Sequence, residues 1–195
     1  MVNYNARRIM GRWKQGFALD LHTISSVPLG YNEFGHMQFE TTRTELGDLL
    51  YRLKYASEIA AVDEIANAAA DFFTRWRPPC DILIPVPPST QRSLQPVLLI
   101  ARAISDRTRL PLRECIRATR PSQPLKDVYG LEERLRLLEG LYEVDRATTS
   151  GKRVLLFDDL YRSGATLNAA AEALYDTGEA AEVFALTITE TRSNQ

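Results

Sequence analysis

Cysteine is nearly missing from this chain: Cys80 and Cys115 are the only two in 195 residues, too few for a disulfide framework or a closed four-cysteine zinc site. Adding His22 and His36, the only histidines, brings the arithmetic to four ligands, but their scattered spacing argues against zinc. No apolar run approaches the roughly 20 residues that cross a bilayer. The basic residues Arg7, Arg8, Arg12 and Lys14 adjoin no apolar signal core. A cytoplasmic protein without a membrane partner is the expectation. Lysine is scarce as well. Lys14, Lys54, Lys126 and Lys152 are four of the 24 basic residues, leaving 20 arginines, the side chain that grips phosphate through paired hydrogen bonds. A formal net charge of -1 gives no global pull toward nucleic acid.

With 45% hydrophobic and 25% charged residues, the composition is ordinary for a globular chain, and the length suits one domain over residues 1-195 with a sizeable core. Phe17, Leu19 and Leu21 alternate with polar or small residues as a half-buried strand does, and Met37 to Thr41 fits a second. Turn residues Gly30 to Gly35 lie between them, so an N-terminal hairpin is expected within residues 1-45. Thr42 and Glu45 fit a capping box before Leu46, Leu49, Leu50 and Leu53. A second helix is expected from Ser57 to Trp76, ended by Pro78-Pro79. Asp81 to Val86 reads as a buried strand, Pro96 to Ser105 as a helix, and Leu112 to Ile116 and Leu141 to Val144 as short strands. The final strand covers Val183 to Thr189. This β-α alternation implies an α/β fold: a mainly parallel central sheet flanked by helices.

The densest information lies between Val154 and Thr166. Val154 to Phe157 is a strand buried on both faces, ending at two adjacent acids, Asp158 and Asp159. Ser163-Gly164-Ala165-Thr166 follows, and Leu167, Ala170, Ala171 and Leu174 recur at helical spacing toward Gly178. Free N-H groups at that helix start, with two hydroxyls and a glycine, make a phosphate cradle. The acids cannot share an anion with it, but they can accept hydrogen bonds from a vicinal diol. A ribose 5-phosphate offers both. A phosphoacceptor receiver domain also carries paired acids after a strand, but near its start, whereas here 36 residues follow Asp159. A solvated surface turn would explain neither the glycine loop nor its position.

Val154 to Thr166 resembles the PRPP signature of type I phosphoribosyltransferases, in the form usual for the ComF family of competence-related proteins. The resemblance implies that Asp158 and Asp159 bind the ribose hydroxyls and that Arg162, Ser163, Gly164, Ala165 and Thr166 bind the 5-phosphate, with Leu160 and Tyr161 completing the stretch. Pro85-Val86-Pro87 resembles the family's Pro-Val-Pro segment and adds Pro87 on the pyrophosphate side. Gln91 to Pro96 stands where the family has Arg-Gly-Phe-Asn-Gln, and of that pattern only Arg92 is kept, as a clamp on pyrophosphate. Leu53-Lys54-Tyr55 is similar to a Leu-Lys-Tyr element of the family. Arg117 to Gln123 and Glu133-Arg134 resemble the ends of its flexible lid, within which Lys126 would meet the leaving group as a catalytic residue. The family's cysteine-rich zinc element has no counterpart here. Residues 1-45 would form a different small N-terminal hood, and 53-189 the core.

The resemblance implies transfer of a 5-phosphoribosyl group from PRPP to a nitrogen acceptor with release of pyrophosphate. Mg2+ is the implied cofactor, carried by PRPP near Asp158 and Asp159 with no direct protein ligand. The expected partners are PRPP and a small-molecule acceptor, with a second copy of the chain as a dimer mate. Two alternatives stand beside catalysis. One is a PRPP sensor without turnover. The other is nucleic-acid binding in DNA uptake or processing, for which Arg102 to Arg120 supplies six arginines against Asp106 and Glu114.

Overall fold

A computed structural model of the protein describes residues 2-88, 94-120 and 131-192. In chain order the elements are β1 (Arg7–Arg8), β2 (Gln15–Leu21), β3 (Thr23–Tyr31), β4 (Met37–Arg43), α1 (Glu45–Tyr55), α2 (Ala61–Trp76) and β5 (Ile82–Pro85). There follow α3 (Pro96–Thr108), β6 (Ile116–Ala118), α4 (Leu131–Leu138), β7 (Tyr142–Val144), α5 (Arg146–Thr149), β8 (Arg153–Tyr161), α6 (Ala165–Asp176) and β9 (Glu182–Glu190). The central sheet runs β1-β2-β9-β8-β5. Its β2-β9, β8-β9 and β5-β8 pairings are parallel, and only β1 runs against its neighbour. The α/β class with a mainly parallel, helix-flanked sheet is thus present.

The inner strands are apolar at nearly every position because both faces of the sheet are covered. Val154 and Leu156 of β8, with Ile82, Ile84, Val183 and Ala185, pack under Leu167, Ala170 and Leu174 of α6. Leu155 and Phe157 point the other way, joining Leu83, Phe184 and Leu186 against helices α1, α2 and α3 through Leu50, Ile65 and Ile100. Alternation along a strand assigns successive residues to opposite cores. The same alternation governs the polar residues beyond Phe157.

The N-terminal pairing differs from the sequence expectation. Phe17 to Leu21 does not pair with Met37 to Thr41; it lies in the central sheet, where Phe17 pairs with Leu186 and Asp20 with Thr189. The hairpin is made by β3 and β4, with Val27 opposite Glu40 and Pro28 opposite Phe39. Strand β3 was hard to see because serines and Pro28 interrupt its apolar pattern and both its faces stay open. Leu29, Tyr31, Phe34 and Phe39 of this ribbon are exposed. Residues Leu112 to Ile116 also divide: Leu112 makes one parallel bridge to Leu83, and β6 pairs antiparallel with β7 in a separate small sheet.

Helix α1 is capped by Thr44 rather than Thr42, which is paired with Ser25 in the hairpin. The Thr44 hydroxyl accepts from the Gly47 N-H at 3.0 Å and donates to the Leu21 carbonyl at 2.6 Å. Glu45 accepts from the Asn3 backbone and side-chain amides instead of closing a box. These contacts tie α1 to the end of β2. Gly47 permits the close approach, since a Cβ there would run into the His22 carbonyl oxygen. Gly47→Ala is expected to destabilise by about 1–3 kcal/mol through this backbone collision. Each kcal/mol lowers the Tm by roughly 2–4 °C in a chain of this size. An unchanged Tm in a thermal melt would refute so tight a junction.

Candidate functional site

The apolar run of β8 ends at Phe157, yet the strand continues. Asp158 lies opposite Thr187, Leu160 opposite Thr189 and Tyr161 opposite Glu190. Asp158 and Asp159 therefore sit inside a ladder, not in a loop after it, and as neighbours in a strand they leave opposite faces of the sheet. Asp159 falls on the α1 face. It is buried, and its Oδ1 lies 2.8 Å from Lys54 Nζ at the end of α1. Asp158 falls on the α6 face and accepts from the Asp159 backbone N-H at 2.8 Å; after burial, its charge helps push the Tyr142 hydroxyl up. Burial, and after it the Asp159 charge, push the Asp158 carboxyl up to about 7. Across the ladder, the buried Thr187 hydroxyl has no hydrogen-bond partner among the described residues.

After Tyr161 the chain turns through Arg162 and Ser163 into α6, with Gly164 at its N-cap in the left-handed region, φ 75°. Gly164 brings no side-chain cap, so the first N-H groups of α6 remain available to a ligand. Glycine is demanded from behind as well: a Cβ would stand 2.8 Å from the Tyr161 hydroxyl and 2.9 Å from its ring. That ring packs edge-on against Trp13, and its hydroxyl donates to the Met10 carbonyl at 3.0 Å. Asn168 accepts from the Arg12 N-H at 2.8 Å and donates to the Gly164 carbonyl at 2.9 Å. Residues 9–13 thus brace the loop. Tyr161, expected among ligand contacts, has its hydroxyl engaged in that brace.

The Pro85-Val86-Pro87 segment leaves β5 beside β8, fixed by the Val86 N-H on the Phe157 carbonyl at 2.8 Å. Pro87 therefore reaches the same sheet edge as the two acids. Arg92 and Lys126 lie outside the described residues. Arg117 sits on β6, and Arg120 is turned onto the carbonyls of Leu137 and Glu139.

Several polar residues at this edge were not singled out as site residues by sequence reasoning. His22 follows β2, and its Nδ1 lies 3.1 Å from the Thr189 hydroxyl. Burial first, then the charges of Lys54 and Arg43, press the imidazole down to about 4. Arg43, at the end of β4, holds its guanidinium 3.9 Å over the Tyr51 ring. The visible signal was Lys54 in its Leu-Lys-Tyr setting. His22, Arg43 and Thr189 carried none, because they meet only when β2 docks beside β9.

This fold is that of the type I phosphoribosyltransferases. Adenine phosphoribosyltransferase from Trypanosoma brucei, in a crystal structure with AMP, pyrophosphate and ribose-5-phosphate, is similar to it with a TM-score of 0.52. That match covers 96% of this chain and 75% of that one at 12% identity. In sequence the chain shows weak homology to the competence protein ComFC of Bacillus subtilis (strain 168), 28% identical over 146 residues. The match takes in 72% of this chain and 58% of ComFC, so the chain spans little more than half of that relative. No family model matches. Among the described residues no helix is long and apolar enough to cross a membrane.

The two perturbed groups make opposite contributions to stability. Native Asp158 keeps its proton to about pH 7, whereas the unfolded carboxyl releases it near ~4, so its contribution is lost as pH rises through that window. Native His22 stays neutral down to about 4 while the unfolded imidazole gains a proton near ~6.5, so stability is lost as pH falls below that value. In thermal melts, Asp158→Asn should gain Tm on the wild type as the pH rises from about 4 to about 7, and His22→Asn should flatten the acid limb. Parallel pH profiles for wild type and both variants would contradict these assignments.

Proposed function

We propose that the protein binds PRPP at the carboxyl edge of β8 and transfers its 5-phosphoribosyl group to a nitrogen acceptor. The carrying observation is the sequence of groups along one strand end: two carboxylates on β8, then a glycine-capped helix start a few residues on. One ribose 5-phosphate offers a diol and a phosphate in the same succession. Across from Asp158 the enclosed Thr187 hydroxyl has no hydrogen-bond partner among the described residues. Phosphate would rest on the N-H groups of Ser163 to Thr166, where like-charge repulsion from the acids is smallest. Pyrophosphate would leave on the β5 side, past Pro87, with Arg92 and Lys126 as its cationic contacts. Asp159 already holds Lys54, so a ribose hydroxyl would enter a carboxylate that is oriented and half satisfied.

The chemistry at C1 needs placement more than covalent assistance, because the breaking bond develops oxocarbenium character. Asp158 and Asp159 would accept from the ribose hydroxyls at the end of β8, one from each side of the strand. The donor set suits Mg2+ carried by PRPP: the two carboxylates leave opposite faces of β8 and one is paired with Lys54, so they do not converge on an ion. When bound there, Mg2+ would neutralise the departing pyrophosphate. The nucleic-acid reading has less support. Arg102 is paired with Glu114, Arg107 with Asp63, and Arg120 with carbonyl oxygens. A cytoplasmic setting follows from the substrate in this reading.

Mg2+ with PRPP at about 100 times the dissociation constant should stabilise the protein by ~2.7 kcal/mol, roughly 5 to 10 °C in Tm. Ribose 5-phosphate should reproduce part of that shift. Asp159→Asn and Gly164→Val should both diminish it, the second with a lower starting Tm because of its φ and the Tyr161 contact. Equal PRPP affinity in wild type, Asp158→Asn and Asp159→Asn, measured by calorimetry, would remove the site from β8. Release of pyrophosphate with a nitrogen acceptor separates a transferase from a sensor.

A further inference from the structure

Among the described residues Arg43 has no counter-charge: it forms no ion pair, its Nε is buried without a hydrogen-bond partner, and only the Tyr51 ring supports it. Asp159, Glu190 and Asp48 are each engaged by another cation, Lys54, Arg7 and Arg52 in turn. A buried donor left unpaired is costly, and a guanidinium stacked on an aromatic face is held with its fork pre-oriented for a planar anion. His22 beside it carries no charge near neutral pH. Its Nδ1 is spent on Thr189, leaving Nε2 without a partner among the described residues.

The sheet order says which anion this is, given the PRPP reading above, on which the inference rests. In the central sheet β8 has β5 on one side and β9, then β2, on the other. Substitution at C1 puts nucleophile and leaving group on opposite faces of the ribose. With pyrophosphate toward β5, the nucleophile arrives from the side of β9 and β2, where Thr189, His22 and Arg43 stand. The 5-phosphate is served by the α6 N-terminus and pyrophosphate by the β5 side, so neither needs Arg43. We propose that Arg43 is the specificity residue of an acceptor subsite, and that the acceptor is an aromatic nitrogen compound bearing a carboxylate, bound between Arg43 and His22. The flat guanidinium, imidazole and Tyr51 surfaces suit an aromatic ring.

The test uses the full chain and three matched pairs: nicotinate against nicotinamide, orotate against uracil, anthranilate against aniline. Each is titrated calorimetrically in the presence of Mg2+, ribose 5-phosphate and pyrophosphate, and PRPP binding is measured separately by thermal shift. At least one acid should bind about tenfold to hundredfold more tightly than its neutral partner, as a charge-assisted contact gives. Arg43→Met should erase that preference while leaving the PRPP shift in place, and Arg43→Lys should restore part of it. Equal binding within every pair, or no binding by any acid, would overturn the proposal. So would an Arg43→Met variant that loses PRPP and acid alike, since Arg43 would then serve pyrophosphate. A wild type that shows no PRPP shift would overturn the underlying site instead.

Discussion

The parallel ladder between β8 and β9 is the constraint on which the rest depends. It outlasts the hydrophobic core by several residues, carrying backbone order from Phe157 to Tyr161 opposite Leu186 to Glu190. Without that extension Asp158 and Asp159 would sit in a flexible turn, both free to face solvent. With it, the pleat sends them to opposite faces: one beneath the α6 loop, the other toward α1. The same ladder sets the level at which Gly164 begins α6 and at which Thr187 and Thr189 present their hydroxyls.

Charge at this edge is arranged by burial as much as by pairing. Lys54 and Asp159 neutralise each other at 2.8 Å with both side chains mostly enclosed, an arrangement in which losing one partner costs far more than the pair adds. Asp158 escapes its neighbour's repulsion by keeping a proton more readily than a free carboxyl would. His22 escapes Lys54 and Arg43 by giving one up. One carboxylate is thus held by a cation and one acid is near neutrality. This leaves the β8 end polar without a large net charge, while Arg43 keeps a positive end at β4.

The fold and the signature were legible because their causes are local. Buried parallel strands need apolar runs, so Asp81 to Val86, Val154 to Phe157 and Val183 to Thr189 announced themselves, and a glycine before a helical repeat announced the loop. Other features depended on who the neighbours turned out to be. The alternation of Phe17, Leu19 and Leu21 identified a strand but could not say that its partner was β9 and not β4. Thr44 replaced Thr42 as the cap because the hairpin claimed Thr42. His22 and Arg43 gained meaning only from those two pairings, since each lies at the end of a strand whose partner was misassigned. The Tyr161 brace was hidden for a related reason: the carbonyl that takes its hydroxyl, that of Met10, is distant in sequence.

Strand β2 finds its parallel partner in β9, the last strand in the described chain, and the His22 N-H closes on the Glu190 carbonyl at 2.7 Å. On the ribosome β2 emerges early and β9 late, and contacts of such long sequence separation form slowly. The half made of β5, β8 and α6 closes contacts of shorter sequence separation. The opposite half, with His22 and Arg43, must wait until Glu190 is clear of the exit tunnel. Until then Phe17 and Leu19 lie on a strand with no mate, and the nascent chain holds a sticky edge that a chaperone has reason to cover.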